Sequence, residues 1–143
     1  MENAMLHNGP EREMSRVAGR CAAQPSAVAG GSITFLFSDI VASTRRWEGD
    51  PDAMAVDLAR HDELLHTCIE AAGGEIFCHT GDGIGAAFTV ASDAVVAAVA
   101  AQRALAIADW EAPGPLRVRM AIHAGVAHRR EGNYFGPVLN RVA

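Results

Sequence analysis

Two aspartates stand where a strand ends and a tight turn begins, an arrangement that suits a divalent metal site. Asp39 follows the apolar run 35–37, and Asp82 lies in the turn Thr80-Gly81-Asp82-Gly83. Two bare carboxylates about 4 Å apart would repel by roughly 4 kcal/mol at an effective dielectric of 20, so a shared cation relieves them. Mg²⁺ held in this way usually completes its coordination with substrate phosphates. The pair therefore predicts metal-dependent phosphate chemistry.

Each aspartate also has a purely structural interpretation. Asp39 can cap the helix predicted after it, and Asp82 can simply occupy a turn, because Asp is common in both places. A third interpretation makes Asp39 a phosphoryl acceptor, as in signalling receivers. That chemistry needs a parallel βα series and a lysine near the acidic cluster, and the chain contains no lysine.

Hydrophobic patterning supplies the elements that would position the two aspartates. Alternating and continuous apolar runs predict five strands, at 32–38, 75–79, 84–89, 116–123 and 126–130. Caps, glycines and helical periodicity predict helices near 45–48, from Asp50-Pro51 to Gly73-Gly74, from a Ser92 cap to about 109, and from 138 onward. This order of elements indicates an α+β fold, a ferredoxin-like antiparallel or mixed sheet covered by helices.

Composition narrows the class of protein. The 143 residues fit one domain, and the net charge of −5 argues against a nucleic-acid partner. The three cysteines show no paired spacing, which favours reduced thiols. No apolar run is long enough to span a membrane, and the amino terminus does not have the pattern of a signal peptide. We therefore expect a cytoplasmic protein without a membrane partner.

The first 31 residues differ in composition from the rest of the chain. They are rich in Gly, Ala, Pro, Ser and charged residues and show no sustained period. We expect a flexible leader over residues 1–31, with the folded domain at 32–143. An early start codon is an equal explanation, since Met5 and Met14 could also begin the chain.

Three sequence blocks, in the correct order, resemble the catalytic domain of class III adenylate and guanylate cyclases, in their bacterial branch. The blocks are 34–44, which includes Phe37-Ser38-Asp39-Ile40, then 79–88 around Thr80-Gly81-Asp82-Gly83, and finally 117–125 followed by 134–140. The resemblance covers residues 32–143. It implies the class III nucleotide cyclase fold with the C-terminal part of the domain missing.

The resemblance also implies a function. A class III cyclase is a lyase of cyclic-nucleotide signal transduction, which converts ATP or GTP to a 3′,5′-cyclic nucleotide (cAMP or cGMP) and pyrophosphate. By the same resemblance, Asp39 and Asp82 hold two divalent cations, Mg²⁺ or Mn²⁺, together with the backbone carbonyl of Ile40. Asn140 would orient the ribose across the interface of a homodimer with shared active sites.

Further residues of the resemblance concern substrate binding. The turn Val41-Ala42-Ser43-Thr44 matches the family's phosphate turn, with Ala42 where a glycine is common. Cys78 and Asn133 stand at the base-reading positions, where an adenine-selecting lysine and its aspartate are usual, so the pair could tolerate either purine. The family's transition-state arginine should lie four residues beyond Asn140, past the last residue. The alternative function is therefore a catalytically degenerate cyclase-like domain, a nucleotide-binding or dimerisation module of a transcriptional regulator.

The histidines are assigned more modest roles. His61 and His66 lie five residues apart on the long predicted helix, which is not the spacing of four that favours metal chelation, so we expect surface or interface positions. His79 precedes Asp82 by three residues and could reach a bound nucleotide.

Overall fold

The computed structural model describes residues 31–142, so the predicted leader lies outside the described residues except for Gly31. The strands are β1 (Ser32–Ile40), β2 (Glu75–His79), β3 (Ile84–Phe88), β4 (Val118–Val126), β5 (His128–Arg130) and β6 (Asn133–Phe135). The helices are α1 (Ser43–Gly49), α2 (Pro51–Ala71), α3 (Ala91–Ile107) and α4 (Pro137–Val142). None of the helices in this part of the chain has the length and apolarity to cross a membrane.

Four strands form one sheet in the order β2-β3-β1-β4. Every neighbouring pair is antiparallel, and β4 pairs with β1 along its whole length, from Ser32 opposite Val126 to Ile40 opposite Val118. The predicted ferredoxin-like α+β fold is confirmed. The strand β1 lies inside the sheet; its ladder with β4 includes Asp39, whereas its ladder with β3 ends at Phe37.

The two faces of the sheet are covered differently. Helices α2 and α3 pack on one face over the main core, which includes Leu36, Ile40, Met54, Leu65, Ile69, Ile84, Phe88 and Leu105. A smaller cluster on the other face joins Phe35, Phe77, Tyr134 and Val138, so α4 and the β5-β6 hairpin cover only part of that face. Phe37 and Asp39 alternate with the buried residues of β1 and therefore face the less covered side.

Two predictions of local structure are wrong. The helix α3 begins at Ala91, and its N-cap is Val90 without a side-chain hydrogen bond, so Ser92 does not cap it. The expected return strand at 126–130 is divided, because Val126 stays in the ladder with β1 and β5 pairs with β6. Glu131 and Gly132, with φ of 51° and 80°, join β5 to β6, as the two positive-φ positions of a tight hairpin require.

The buried stripe of α2 contains two polar side chains among its apolar residues. His61 was expected at a surface or interface and is instead fully buried, with Nδ1 2.9 Å from a carboxylate oxygen of Asp62. Asp57 is 1% exposed and accepts hydrogen bonds from the backbone N–H groups of Glu111 and Ala112, at 2.7 and 3.1 Å.

Asp57 also connects the first helix to this arrangement. The Nη2 atom of Arg46 on α1 lies 3.6 Å from an Asp57 carboxylate oxygen, and its Nη1 donates to the carbonyl of Pro115 at 3.3 Å. We call Arg46, Asp57 and the 111–112 backbone the Asp57 clamp. It fixes α1, which begins at the predicted phosphate turn, to α2 and to the segment that leads into β4.

Candidate functional site

The structure brings the ends of β1 and of the β2-β3 hairpin together. The backbone N–H of Ile40 donates to the backbone carbonyl of Asp82 at 3.2 Å, so Asp82 lies beside the residue that follows Asp39. The turn itself is closed by a bond from the Thr80 N–H to the Gly83 carbonyl at 2.9 Å. The two aspartates predicted from the sequence are therefore neighbours across two strands.

Gly83 is what allows this close approach. A Cβ atom at position 83 would lie 2.1 Å from the backbone oxygen of Ser38, a separation that no side chain can take up. Ser38 fixes the same junction from its side chain, because its buried Oγ accepts a hydrogen bond from the Ile84 N–H at 3.0 Å. Gly83 thus makes room for β1 itself, and the turn holds Asp82 beside the end of that strand.

Arg119 is a member of the site that sequence reasoning missed. It lies opposite Asp39 in the β1-β4 ladder, and its Nε donates to Asp39 Oδ2 at 2.9 Å, with Nη2 contacting the same oxygen. The alternation of β4 places Arg119 on the polar face, but the register with β1 was not predictable from that pattern. The side chains of Asp39 and Arg119 are 43% and 74% exposed, so the ion pair is worth at most about 1 kcal/mol.

The N-cap of α1 excludes one structural interpretation of Asp39. The N-cap of α1 is Ala42 and no side chain caps it, so Asp39 is not a capping residue. Its carboxylate instead faces the Arg119 guanidinium at the open side of the sheet.

The expected ligands, which are the carboxylates of Asp39 and Asp82 and the carbonyl of Ile40, are oxygen donors of the kind that a hard divalent cation prefers. A guanidinium already occupies a position beside the Asp39 carboxylate, which shows that this position accepts positive charge. Over residues 31–142, no three His, Cys, Asp or Glu side chains converge as a metal cage. Mg²⁺ and Mn²⁺ suit such a site, because they bind through one or two carboxylates and take their other ligands from water and phosphate oxygens.

The predicted phosphate turn lies directly after Asp39 and Ile40. Val41 uses its own N–H in a 2.8 Å bond to the Arg117 carbonyl, so that donor is engaged within the fold. Ser43 and Thr44 begin α1, where the first N–H groups of a helix have no acceptor inside the helix. Donors for a phosphate are therefore expected from Ser43 and Thr44 rather than from Val41.

Ala42 explains why this turn favours glycine. Its φ and ψ of 56° and 36° are left-handed, a conformation that costs an alanine about 1–2 kcal/mol. We expect Ala42→Gly to raise the free energy of unfolding by about 0.5–1 kcal/mol, because the relief of strain exceeds the extra chain entropy of an unfolded glycine. Urea unfolding measures the change. The matched control Ala55→Gly, on the exposed face of α2, should lower stability by about 1 kcal/mol, and a loss in both variants would contradict the argument.

Of the two base-reading candidates, Cys78 belongs to the smaller cluster and Asn133 directly precedes one of its members. Cys78 is buried next to Phe77, and Asn133 precedes Tyr134, whose ring lies 5.2 Å from the Phe77 ring with near-perpendicular planes. In the part of the chain that the structure describes, the buried Oδ1 of Asn133 has no hydrogen-bond partner. A buried amide oxygen without a partner leaves hydrogen-bonding capacity unused.

The pKa of Tyr134, in the smaller cluster, is raised above its usual value. Burial raises the pKa of Tyr134, while the Arg129 guanidinium, 5.3 Å from the ring centre, lowers it and Glu75 raises it. The Tyr134 phenol therefore stays neutral at physiological pH, and its ring packs edge-on against Phe35 and Phe77.

Asn140 lies at the opposite end of the sheet from the aspartates. It is exposed on α4, and Val138 of that helix packs against Gly125, which pairs with Ile33 near the start of β1. From Ile33 to Asp39 the strand advances six residues, about 20 Å. One chain therefore does not bring Asn140 to the Asp39-Asp82 pair.

Comparison with solved structures places this geometry in a family. The structure matches an adenylate cyclase of Trypanosoma brucei, solved in its monomeric state, with a TM-score of 0.75 and 25% identity, covering 82% of this chain and 70% of that one. It also matches an adenylate/guanylate cyclase/hydrolase of Silicibacter pomeroyi, with a TM-score of 0.68 and 27% identity, covering 78% and 66% of the two chains. The chain contains a class III adenylate/guanylate cyclase-like domain.

The cyclase-like domain also has a relative among curated sequences. An uncharacterized protein of Mycobacterium tuberculosis is 35% identical over 115 residues, which cover 79% of this chain. The matched part spans only 38% of that relative's length. No protein-family model matches the chain. The assignment to the class III cyclase family therefore rests on the sequence blocks and on the three-dimensional fold.

Proposed function

We propose that the cyclase-like domain belongs to a purine-nucleotide cyclase, which forms cyclic AMP or cyclic GMP and pyrophosphate from ATP or GTP in cytoplasmic signal transduction. The observation that carries the proposal is the 3.2 Å bond between the Ile40 N–H and the Asp82 carbonyl. It sets two carboxylate residues side by side, immediately before a turn with free helix-start N–H groups. Metal-dependent phosphoryl chemistry requires carboxylates that hold the metal next to N–H groups that bind the phosphates.

Asp39, Asp82 and the carbonyl of Ile40 would hold up to two Mg²⁺ or Mn²⁺ ions. When bound, such ions activate the ribose 3′-hydroxyl and neutralise the departing pyrophosphate. The chain's own residues then orient the substrate: Ser43 and Thr44 offer N–H groups to the triphosphate. Arg119 must share or release the Asp39 carboxylate for this, and the cost is small because the ion pair is exposed.

Cys78 and Asn133 would face the base. The Asn133 amide can accept from the 6-amino group of adenine through Oδ1 or donate to the 6-oxo group of guanine through its NH₂ group, while the Cys78 thiol is only a weak donor. We therefore propose weak discrimination between ATP and GTP.

A homodimer would complete the site. The helix that carries Asn140 packs at the Ile33 end of β1, about 20 Å along the strand from Asp39, so Asn140 would act on the ribose at the aspartates of a second copy. The partly open sheet face around Phe37 and Asp39, next to exposed Ala121, is where that copy would approach. In a two-fold dimer, each chain would lend its Asn140 to the metal residues of the other.

Mass spectrometry of the products tests the proposal directly. Purified chain with Mn²⁺ and either triphosphate should form cyclic nucleotide, and Asp39→Ala should form none, because half of the carboxylate pair is lost. Asp52→Ala, an exposed aspartate in the first turn of α2, is the matched control and should keep full activity. Equal product from the wild type and Asp39→Ala would overturn the proposal.

A second candidate function is a nucleotide-binding or dimerisation module of a regulator, without turnover. Two features favour it: Arg119 already neutralises Asp39, and a buried cysteine stands at the first base-reading position. This candidate predicts metal-dependent nucleotide binding by calorimetry but no cyclic product. Product formation that depends on Asp39 would exclude it.

A further inference from the structure

A pair of histidines lies outside the carboxylate site. The Nε2 atoms of His66 on α2 and of His79 at the end of β2 are 3.1 Å apart. The ring centres are 5.1 Å apart and the ring planes differ by 28°, so the two Nε2 atoms are the nearest parts of the two rings. At most one proton fits between the two nitrogens, and the proposed function uses neither ring.

The separation of the nitrogens is the one that two ligands of a single metal ion would have. Imidazole nitrogens bind Zn²⁺ at about 2.0–2.1 Å, and two nitrogens 3.1 Å apart would then subtend about 95–102° at the ion. That angle lies between the octahedral and tetrahedral values.

The fold holds both histidines in place. Cys68, two residues after His66, and Ile76, three residues before His79, pack against the same main core. The exposed Glu63 and Glu70 lie three residues before and four residues after His66, on the same side of the helix by spacing, and add negative charge nearby. The packing of Cys68 and Ile76 fixes the backbone near His66 and His79, and the two glutamates attract a cation to this histidine pair.

We propose that His66 and His79 bind one divalent transition-metal ion of the Zn²⁺ class, with water completing its coordination. Imidazole suits Zn²⁺, Cu²⁺ and Ni²⁺, whereas carboxylate and carbonyl oxygens suit Mg²⁺ and Mn²⁺, so the two sites select different metals. The ion would tie α2 to the strand that leads into the Asp82 turn. This inference is independent of the proposed cyclase activity.

Calorimetry with Zn²⁺ and the full chain, in saturating Mg²⁺, tests the site. We expect one Zn²⁺ per chain and a rise in melting temperature on binding. His66→Gln and His79→Gln should each weaken affinity by more than the roughly 10- to 100-fold that loss of an outer-shell group costs, and should abolish the rise in melting temperature. His128→Gln, an exposed histidine of β5, and Asp82→Asn should both bind Zn²⁺ as the wild type does.

Two further readouts keep the result unambiguous. Circular dichroism checks that the glutamine variants are folded. The absorption spectrum of bound Co²⁺ should lack thiolate bands, since the proposed ligands are imidazoles. Absence of Zn²⁺ binding by the wild type, unchanged affinity in the two glutamine variants, or thiolate bands in the Co²⁺ spectrum would each overturn the proposal.

Discussion

Equal mixing of Asp39→Asn and Asn140→Ala chains should restore cyclic-nucleotide formation that neither variant shows alone. Val138, two residues before Asn140, packs on Gly125 at the Ile33 end of β1, and the strand advances about 20 Å from Ile33 to Asp39, so we expect the two residues to serve different sites. In a mixed two-fold dimer, one site receives both lesions and the other receives none. Activity after mixing is therefore the direct result of sharing residues between copies.

The size of the recovery is also set by this geometry. Random association makes half of the dimers mixed, and each mixed dimer has one intact site of two, so about a quarter of the wild-type rate should return. Product mass spectrometry after co-refolding or co-expression measures it. A mixture of Asp39→Asn with Asp82→Asn is the matched control, because both changes damage the same half-site and no intact site can form. Recovery in the control, or none in the test mixture, would contradict the shared-site arrangement.

Asp57→Ala should lower the free energy of unfolding by about 3–5 kcal/mol, the usual result of breaking a buried ion pair from one side. The carboxylate is 1% exposed and is the acceptor for the N–H groups of Glu111 and Ala112. Its removal leaves those two donors unpaired and leaves the Arg46 guanidinium, itself 15% exposed, without its counter-charge. A loss of this size is a large part of the stability of a small domain.

Urea unfolding monitored by circular dichroism measures the effect. Asp57→Asn keeps one carbonyl acceptor and should fall between the wild type and the alanine variant. Asp52→Ala, exposed in the first turn of the same helix, should cost less than about 1 kcal/mol, because only its interaction with the helix dipole is lost. Equal losses for Asp52→Ala and Asp57→Ala would show that the Asp57 clamp does not hold α1 in place.

The resting electrostatics of the site follow from the Asp39-Arg119 pair. The Arg119 guanidinium offsets the charge of the Asp39 carboxylate at the end of β1. The Asp82 carboxylate on the adjoining turn remains as a second acidic group. A divalent cation competes with a single guanidinium that is largely in water. We expect this competition to favour the metal when phosphate oxygens complete its coordination.

Local patterns in the sequence determined the elements and the identity of the carboxylate pair. The alternation around Phe35 and Phe37, the proline at the start of α2 and the glycines after it act within a few residues, so strand and helix bounds follow from them. The Thr80-Gly81-Asp82-Gly83 turn is equally local, and the hairpin β2-β3 forms as predicted. The sequence blocks also predicted the cyclase-like fold, since the order of elements and motifs is carried by the chain itself.

Tertiary structure alone decided which distant residues meet. Arg119 reaches Asp39 across 80 positions, Asp57 accepts from backbone groups 54 and 55 positions away, and His66 meets His79 from another element. Such contacts depend on strand register and on the exact approach of a helix to a sheet, and a one-residue slip would turn every strand side chain to the other face. The sequence by itself therefore predicted the carboxylates and their chemistry, whereas only the packed fold showed their counter-charge, their supports and their distance from Asn140.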